Sequence, residues 1–238
     1  MKNIFFKSLV VLFTITLLSS CAELQQVVQN LPQEGLSNEQ IASGLKQALD
    51  KGIDKEVTQL MQPDGFYKDQ MVKILLPAEL QKVDKTLRNI GLGNLADQGL
   101  LLLNRAASDA VKEAKPIFVS AIQNMTFTDA KNILLGDPTA ATNYLQQKTS
   151  AQLYQKFKPQ VAQSLQKVNA DKVWHDIITR YNQVPFVEKV NPDLTDYVTR
   201  KAMDGVFKKI AVEEKQIRSN INERTTDLLK KVFALQDK

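Results

Sequence analysis

From Leu36 onward a helix start or stop recurs about every 15 to 25 residues, and runs of alternating Val, Ile and Thr are scarce between them. Gln, Lys, Leu and Ala dominate these segments, and such residues lose little freedom in a helix. The spacing predicts an all-α protein: a single-domain multi-helix bundle of roughly eight to ten helices over residues 37–238, behind a short N-terminal tether. The length suffices for one substantial core and is short for two.

The individual signals are specific. Leu36-Ser37-Asn38-Glu39-Gln40-Ile41 supplies a capping Ser, a Gln at the third helical position and a Leu/Ile staple. Ile41, Leu45, Ala48, Leu49 and Leu60 continue as an apolar stripe that ends near Pro63-Asp64-Gly65. Val72 to Leu76 suits an extended run before Pro77 opens a helix carrying Leu80, Val83, Leu87 and Ile90, closed by Gly91-Leu92-Gly93. A helix from about Asn94 sets Leu95, Gly99, Leu102, Ala106, Ala110 and Ala114 on one face, small enough to admit a close neighbour at the bundle centre.

Lys115-Pro116 and Lys158-Pro159 each predict a break or kink with a new first turn, two similar helix breaks rather than a repeat. Thr126 with Asp129, Asp137-Pro138, Asn169 to Asp171 and Asn191-Pro192-Asp193 mark further starts. The last segments run from about Leu194 to Ser219 and from Asn222 to Leu235.

The amino terminus carries an address. Lys2 and Lys7 flank an apolar run from Leu9 to Leu18, followed by Leu18-Ser19-Ser20-Cys21. A basic flank, a short hydrophobic stretch and small residues describe an export signal, too short for a lasting membrane span. The cleavage point falls before the single cysteine of the chain and resembles a bacterial lipobox. Residues 1–20 then form a lipoprotein signal peptide and residues 21–36 a lipidated tether, with diacylglycerol on the Cys21 thiol and a third acyl chain on its amine. A plain secretory signal would end in Ala-x-Ala and leave Cys21 as an odd exposed thiol. Two or three acyl chains hold firmly, at about 0.8 kcal/mol per buried methylene. Ala22, which is not aspartate, points to the outer membrane facing the periplasm. Loss of Lys2 and Lys7 with the leader takes the formal charge from +5 to about +3, spread over Arg200-Lys201, Lys208-Lys209 and Lys230-Lys231. Nucleic-acid binding calls for stronger clustering and is not expected; anionic lipid headgroups are a minor possible target of the lysines.

Catalytic sets are missing. One His and one lipidated Cys leave only oxygen ligands, and no calcium-loop spacing occurs, so no metal and no cofactor is expected. His175 lies one turn from Asp171, but Trp174, Ile178 and Tyr181 form the apolar stripe of that helix. His175 and Asp171 therefore belong on its polar side, as an exposed pair rather than a catalytic one. No Gly-x-Ser-x-Gly or phosphate-cradling loop is present. The ladder Leu194, Val198, Ala202, Val206 and Ile210 runs on to Glu214 before Ile217 and Ile221, placing Glu213 and Glu214 on or beside a buried face. Such carboxylates must pair or take up a proton. Arg218, four residues beyond Glu214, is the natural partner, and Arg105 and Arg224 are others. Arg105, Glu213, Glu214, Arg218, Arg224 and Asp227 form the candidate polar cluster, with Asn104, Thr225 and Thr226 as neighbours worth mapping. Asp137-Pro138-Thr139 with Thr142 offers a helix start to an anion, or an ordinary cap.

A family resemblance emerges from blocks in fixed order. Leu76-Pro77, Leu80-Gln81-Lys82-Val83, Leu87-Arg88, Gly91-Leu92-Gly93, Leu103-Asn104-Arg105-Ala106-Ala107 and Glu113-Ala114-Lys115-Pro116-Ile117-Phe118 resemble the bacterial family labelled domain of unknown function 4197. So do Asn124-Met125-Thr126, Asp129-Ala130-Lys131, Tyr197-Val198-Thr199, Asp204-Gly205, Glu213-Glu214-Lys215 and the stretch from Arg224 to Phe233. The likeness covers about Ile41 to Phe233. It implies a single domain, often exported or lipidated, and brings no catalytic residues with it.

The expected function is therefore non-enzymatic: an envelope lipoprotein whose helical groove binds an apolar ligand, a peptide or another envelope protein. The alternatives are a carboxylate-dependent envelope hydrolase or transferase built on Glu213 and Glu214, and a structural envelope scaffold.

Overall fold

The computed structural model describes residues 36–237 apart from 77–80, 82–84, 86–87, 90, 92, 184, 187–188 and 190–192, and leaves out the side chains at 95–96, 173–174, 177–178 and 180–181. The leader, Cys21, most of the tether and the apolar residues expected to line a helix after Pro77 lie outside the described residues. Residues from Asn38 onward form one compact unit. Among the described residues there is no strand, and no helix is long and apolar enough to cross a membrane.

The helices are α1 (Asn38–Met61), the single turn α2 (Gly65–Lys68), α3 (Gly93–Val111), α4 (Ala114–Gln123), α5 (Phe127–Leu135), α6 (Ala140–Gln166), α7 (Ala170–Tyr181), α8 (Leu194–Ser219) and α9 (Asp227–Phe233). α8 packs on α6, α3 and α1, α6 packs in addition on α3, α4 and α5, and α1 carries α4, α5 and α9. Leu153, Phe157, Val161 and Leu165 of α6 and Val198, Ala202, Val206 and Ile210 of α8 are buried in this core, ridges at the spacing that lets helices interdigitate. Phe118 of α4 meets Phe207 of α8 edge to face at 5.9 Å.

Several starts and stops stand where the spacing predicts them. Thr126 and Asp129 form a reciprocal capping box at α5, Asp193 caps α8 by accepting from the Asp196 N–H at 2.8 Å, and α8 ends at Ser219. Gly91 sits at a φ of 81°, the left-handed conformation that a glycine stop supplies. Pro116 falls in the first turn of α4, after a break at Lys112 and Glu113.

Other expectations are corrected. α6 continues through Pro159 without a break or a new first turn. Pro159 and Gln155, whose carbonyl loses its helical donor, are both exposed, so water can take that carbonyl while buried Phe157 and Val161 hold the helix on either side. The Ala-rich stripe of α3 is not one face: Gly99 is exposed, Leu102 half-buried, and Ala114 belongs to α4. Its buried side is Leu103, Asn104, Ala106, Ala107, Ser108, Ala110 and Val111. α6 begins at Ala140, not at Asp137-Pro138; the Asp137 carboxylate instead accepts from the Thr139 N–H at 2.8 Å in the preceding turn. The last helix starts at Asp227 behind a Thr226 cap, and exposed Ile221 lies in a separate 3-10 turn, off the α8 stripe.

Candidate functional site

The polar cluster read from the sequence resolves into separate contacts. Glu214 and Arg218 are both buried and bond along α8, Arg218 Nη2 donating to Glu214 Oε1 at 2.8 Å and Nε at 3.0 Å. The carboxylate also accepts from the Ala141 N–H at 2.9 Å, the Thr142 N–H at 2.9 Å and the Thr142 hydroxyl at 2.8 Å. The Thr139 side chain makes no cap, so the anion at the start of α6 is Glu214 itself. Arg218 donates onward to the Ile133 and Leu134 carbonyls at 2.7 and 3.1 Å, closing the end of α5, and to Gln236 Oε1 at 2.7 Å. Arg224, 2 % exposed, donates to the Ile217 carbonyl at 3.1 Å and the Arg218 carbonyl at 2.8 Å, closes the end of α8, and binds Asp237 through two nitrogens.

Glu213 turns the other way, to Lys55 of α1 at 2.6 Å. Arg105 does not reach these groups; it donates to Asp64 on the α1–α2 turn at 2.6 Å and holds that carboxyl below the usual range. Asp227 is exposed at the start of α9, 3.6 Å from Lys230. Thr225 accepts from Lys51 at 2.7 Å, and Thr226 donates to Gln47 at 2.9 Å. Glu214, Arg218 and Arg224 thus share one corner and serve helix ends there, while Arg105, Glu213 and Asp227 lie on other contacts.

There are two further polar devices, a Lys209 ion pair that the sequence did not single out and Asn104, which it marked as worth mapping. Lys209 sits 3.0 Å from Glu56 and 3.1 Å from Asp69, an ion pair in which Glu56 Oε2 has no well-directed hydrogen bond. Burial pushes the Lys209 ammonium down, but the two carboxylates outweigh it and hold it up. The signal was present: Lys209 stands three residues after Val206 and four before Glu213 on the buried side of α8. The second device is Asn104, fully buried, whose side chain accepts from the Ile74 N–H at 2.8 Å and donates to the Ile74 carbonyl at 2.9 Å and the Leu100 carbonyl at 2.8 Å. An amide on an apolar helix face needs such partners, and here it fastens Ile74, just after the turn at Met71 and Val72, to α3.

Two clefts of about 560 and 530 Å³ share Asp171, Asp193 and Thr195. Burial, aided by the nearby Asp193 charge and opposed by the Thr195 hydroxyl, raises the Asp171 carboxyl above its ordinary range. Asp193 is engaged by Lys158 at 3.2 Å, which also donates to the Tyr154 hydroxyl at 3.2 Å; Tyr154 donates to Asp196 at 2.6 Å. His175 is exposed at the rim of the second cleft. The Trp174, Ile178 and Tyr181 stripe lies outside the described side chains. Among the described residues no three His, Cys, Asp or Glu side chains gather as a metal-holding group.

Another groove lies elsewhere. The 71–76 segment and α8 enclose about 410 Å³, lined by Met71, Val72, Lys73, Ile74, Leu75 and Leu76 on one side and by Tyr197, Lys201, Asp204, Gly205 and Lys208 on the other. Val72 and Ile74 are buried, whereas Met71 is 42 % and Leu75 53 % exposed. Two bridges span it: the Tyr197 hydroxyl donates to the Leu75 carbonyl at 2.6 Å and the Lys208 ammonium to the Met71 carbonyl at 2.9 Å. Gly205 makes the approach possible, since a Cβ there would stand 2.6 Å from the Phe66 ring and 3.3 Å from Val72. The Lys73 ammonium lies 3.9 Å from the centre of the Tyr67 ring.

No curated protein and no solved structure matches this chain. Its residues 35–234 match the model of a family described as a protein of unknown function (DUF4197), and the chain belongs to that family.

Proposed function

We propose that this protein is an exported lipoprotein, lipidated at Cys21 and held at the periplasmic face of the outer membrane, that binds an apolar ligand, peptide or envelope partner in the groove between the 71–76 segment and α8. The observation that carries the binding reading is that groove: an apolar wall, exposed Met71 and Leu75, and a lining that holds Lys73, Lys201 and Lys208 with one carboxylate, Asp204. Exposed apolar side chains grouped in a concavity are the usual mark of a ligand surface. The address rests on the leader and on Leu18-Ser19-Ser20-Cys21.

Native mass spectrometry of the full-length mature protein released from its membrane tests the groove. A retained species that disappears in the double variant Met71→Asp, Leu75→Asp supports binding there; a species retained equally by both proteins, or none in either, overturns it. Cys21→Ser tests the anchor, with the protein expected to leave the membrane fraction for the soluble one. A second reading, a carboxylate-dependent hydrolase or transferase, draws on the clefts shared by Asp171 and Asp193 rather than on Glu213 and Glu214, which are engaged in ion pairs. It requires a turnover that Asp171→Asn abolishes while the fold is kept.

A further inference from the structure

We propose that the occupant of the groove is an extended acidic peptide, which pairs with the 73–75 backbone as an added strand. This rests on the groove binding proposed above and adds the chemistry of the occupant.

The backbone supplies the first reason. In an extended chain, successive residues carry their N–H and C=O groups to opposite edges. Asn104 takes both groups of Ile74, so Lys73 and Leu75 present theirs on the other edge. The Tyr197 hydroxyl meets the Leu75 carbonyl there, which places that edge on the α8 side, where the groove is. Lys73 uses its N–H on the Asp69 carbonyl at 2.8 Å. The Lys73 C=O and the Leu75 N–H carry no hydrogen bond among the described residues. An acceptor and a donor flanking one residue are what a single residue of an added strand uses, its N–H donating to Lys73 and its C=O accepting from Leu75.

Length and charge point the same way. The bridges at Tyr197 and Lys208 stand eleven residues apart on α8, about 16 Å at helical rise, the span of about five extended residues. Met71 and Leu75 offer apolar contacts to alternate side chains of such a peptide. Lys73, Lys201 and Lys208 have no ion pair among the described residues; Asp204 is the one carboxylate of the groove lining and Asp97 lies near enough to feel the Lys73 charge, so three cations meet two anions and acidic side chains complement the rim. An acyl-chain anion would match the apolar wall and the lysines, but it has no amide to answer the Lys73 and Leu75 groups.

Fluorescence anisotropy with the full-length protein tests the proposal. The probes are a labelled peptide of about nine residues alternating valine and aspartate, the same peptide N-methylated at every valine or at every aspartate, a valine–lysine counterpart, and a fluorescent fatty acid. The valine–aspartate peptide is expected to bind saturably and more weakly as salt rises. One of the two N-methylated forms, the valine–lysine peptide and the variant Lys201→Glu should each weaken binding about tenfold, the scale of one hydrogen bond or close charge pair. Leu75→Pro removes the free N–H and should have a similar effect with an unchanged circular dichroism spectrum; if that variant misfolds, the N-methylated peptides decide alone. Binding of both methylated forms as tight as that of the parent peptide overturns the added strand, and equal binding of the valine–lysine peptide overturns the acidic occupant. Saturable binding of the fatty acid with none of the peptide overturns the peptide and leaves the groove reading standing, whereas binding of neither sinks both.

Discussion

The corner where α8 meets α5 and α6 and the groove farther back along the same helix treat polar groups in opposite ways. At the corner, Glu214 and Arg224 are buried and the Arg218 side chain is 8 % exposed, and each is bonded to helix ends: the Ala141 and Thr142 N–H groups, the Ile133 and Leu134 carbonyls, and the Ile217 and Arg218 carbonyls. In the groove, Met71 and Leu75 are exposed, the rim lysines have no ion pair among the described residues, and one backbone donor and one acceptor stand open. The difference teaches that burial of charge in this chain marks architecture rather than chemistry. Helix ends have unmet N–H and C=O groups, and a buried ion supplies strong partners for them.

The sharpest way to break the comparison is Glu214→Ala. It leaves Arg218 buried without its partner and the first N–H groups of α6 uncapped, at a cost of about 3 to 5 kcal/mol in urea-induced unfolding. A loss under 1 kcal/mol would mean that the corner is not structural. Asn104→Ala should cost about 2 to 3 kcal/mol, because both backbone groups of Ile74 lose their partner in a buried place. Hydrogen exchange at the Ile74 amide would rise with it, and ligand binding would weaken as the groove wall loosens. Gly205→Ala presses a methyl into Phe66 and Val72 and should cost about 1 to 3 kcal/mol by thermal unfolding.

Acid should act more gently. Hydrogen bonds from Arg105, Thr126 and Arg224 hold Asp64, Asp129 and Asp237 below the ordinary carboxylate range. A carboxyl depressed in the folded state contributes stability above its unfolded value, and that stability is lost as pH falls through the folded one. Asp171 has the opposite sign, since its raised value favours the fold at low pH and loses that contribution as pH rises through it. The balance predicts a decline in melting temperature below about pH 4, read by a calorimetric pH series, and a flat profile there would refute it. The smallest effect on folding belongs to Leu75→Asp, within about 0.5 kcal/mol at an exposed position, although it should abolish groove binding.

Local rules explain which parts of this architecture were legible. Thr126 with Asp129 and Asp193 before Leu194 are short-range hydrogen-bonded caps, and the structure places them where the spacing does. The two Lys-Pro pairs look alike in sequence, yet Pro116 opens α4 while Pro159 lies inside α6. Burial does not separate them, since Ala114, Ile117 and Phe118 are buried around the first as Phe157 and Val161 are around the second; the chain turns at Lys112 and Glu113 before the first and stays helical before the second, which neither pair encodes. The start of α6 was misplaced because its cap comes from Glu214, 72 residues beyond Thr142. In the same way Arg218 was visible as the partner of Glu214 by its spacing, but the carbonyls that it closes on α5 were not.

By itself the sequence determined that this chain is all-α and where many of its helices begin and end, because periodicity and capping act over a few residues, and its ordered blocks of residues carried the family. Only the tertiary structure decided what the polar groups do. Arg105, Glu213, Glu214, Arg218, Arg224 and Asp227 read as one cluster in the sequence and part company in space, while Lys73, Lys201 and Lys208 meet around an open edge. Whether a charge ends on a helix terminus or at a groove depends on helices distant in the chain, and no local pattern encodes that meeting.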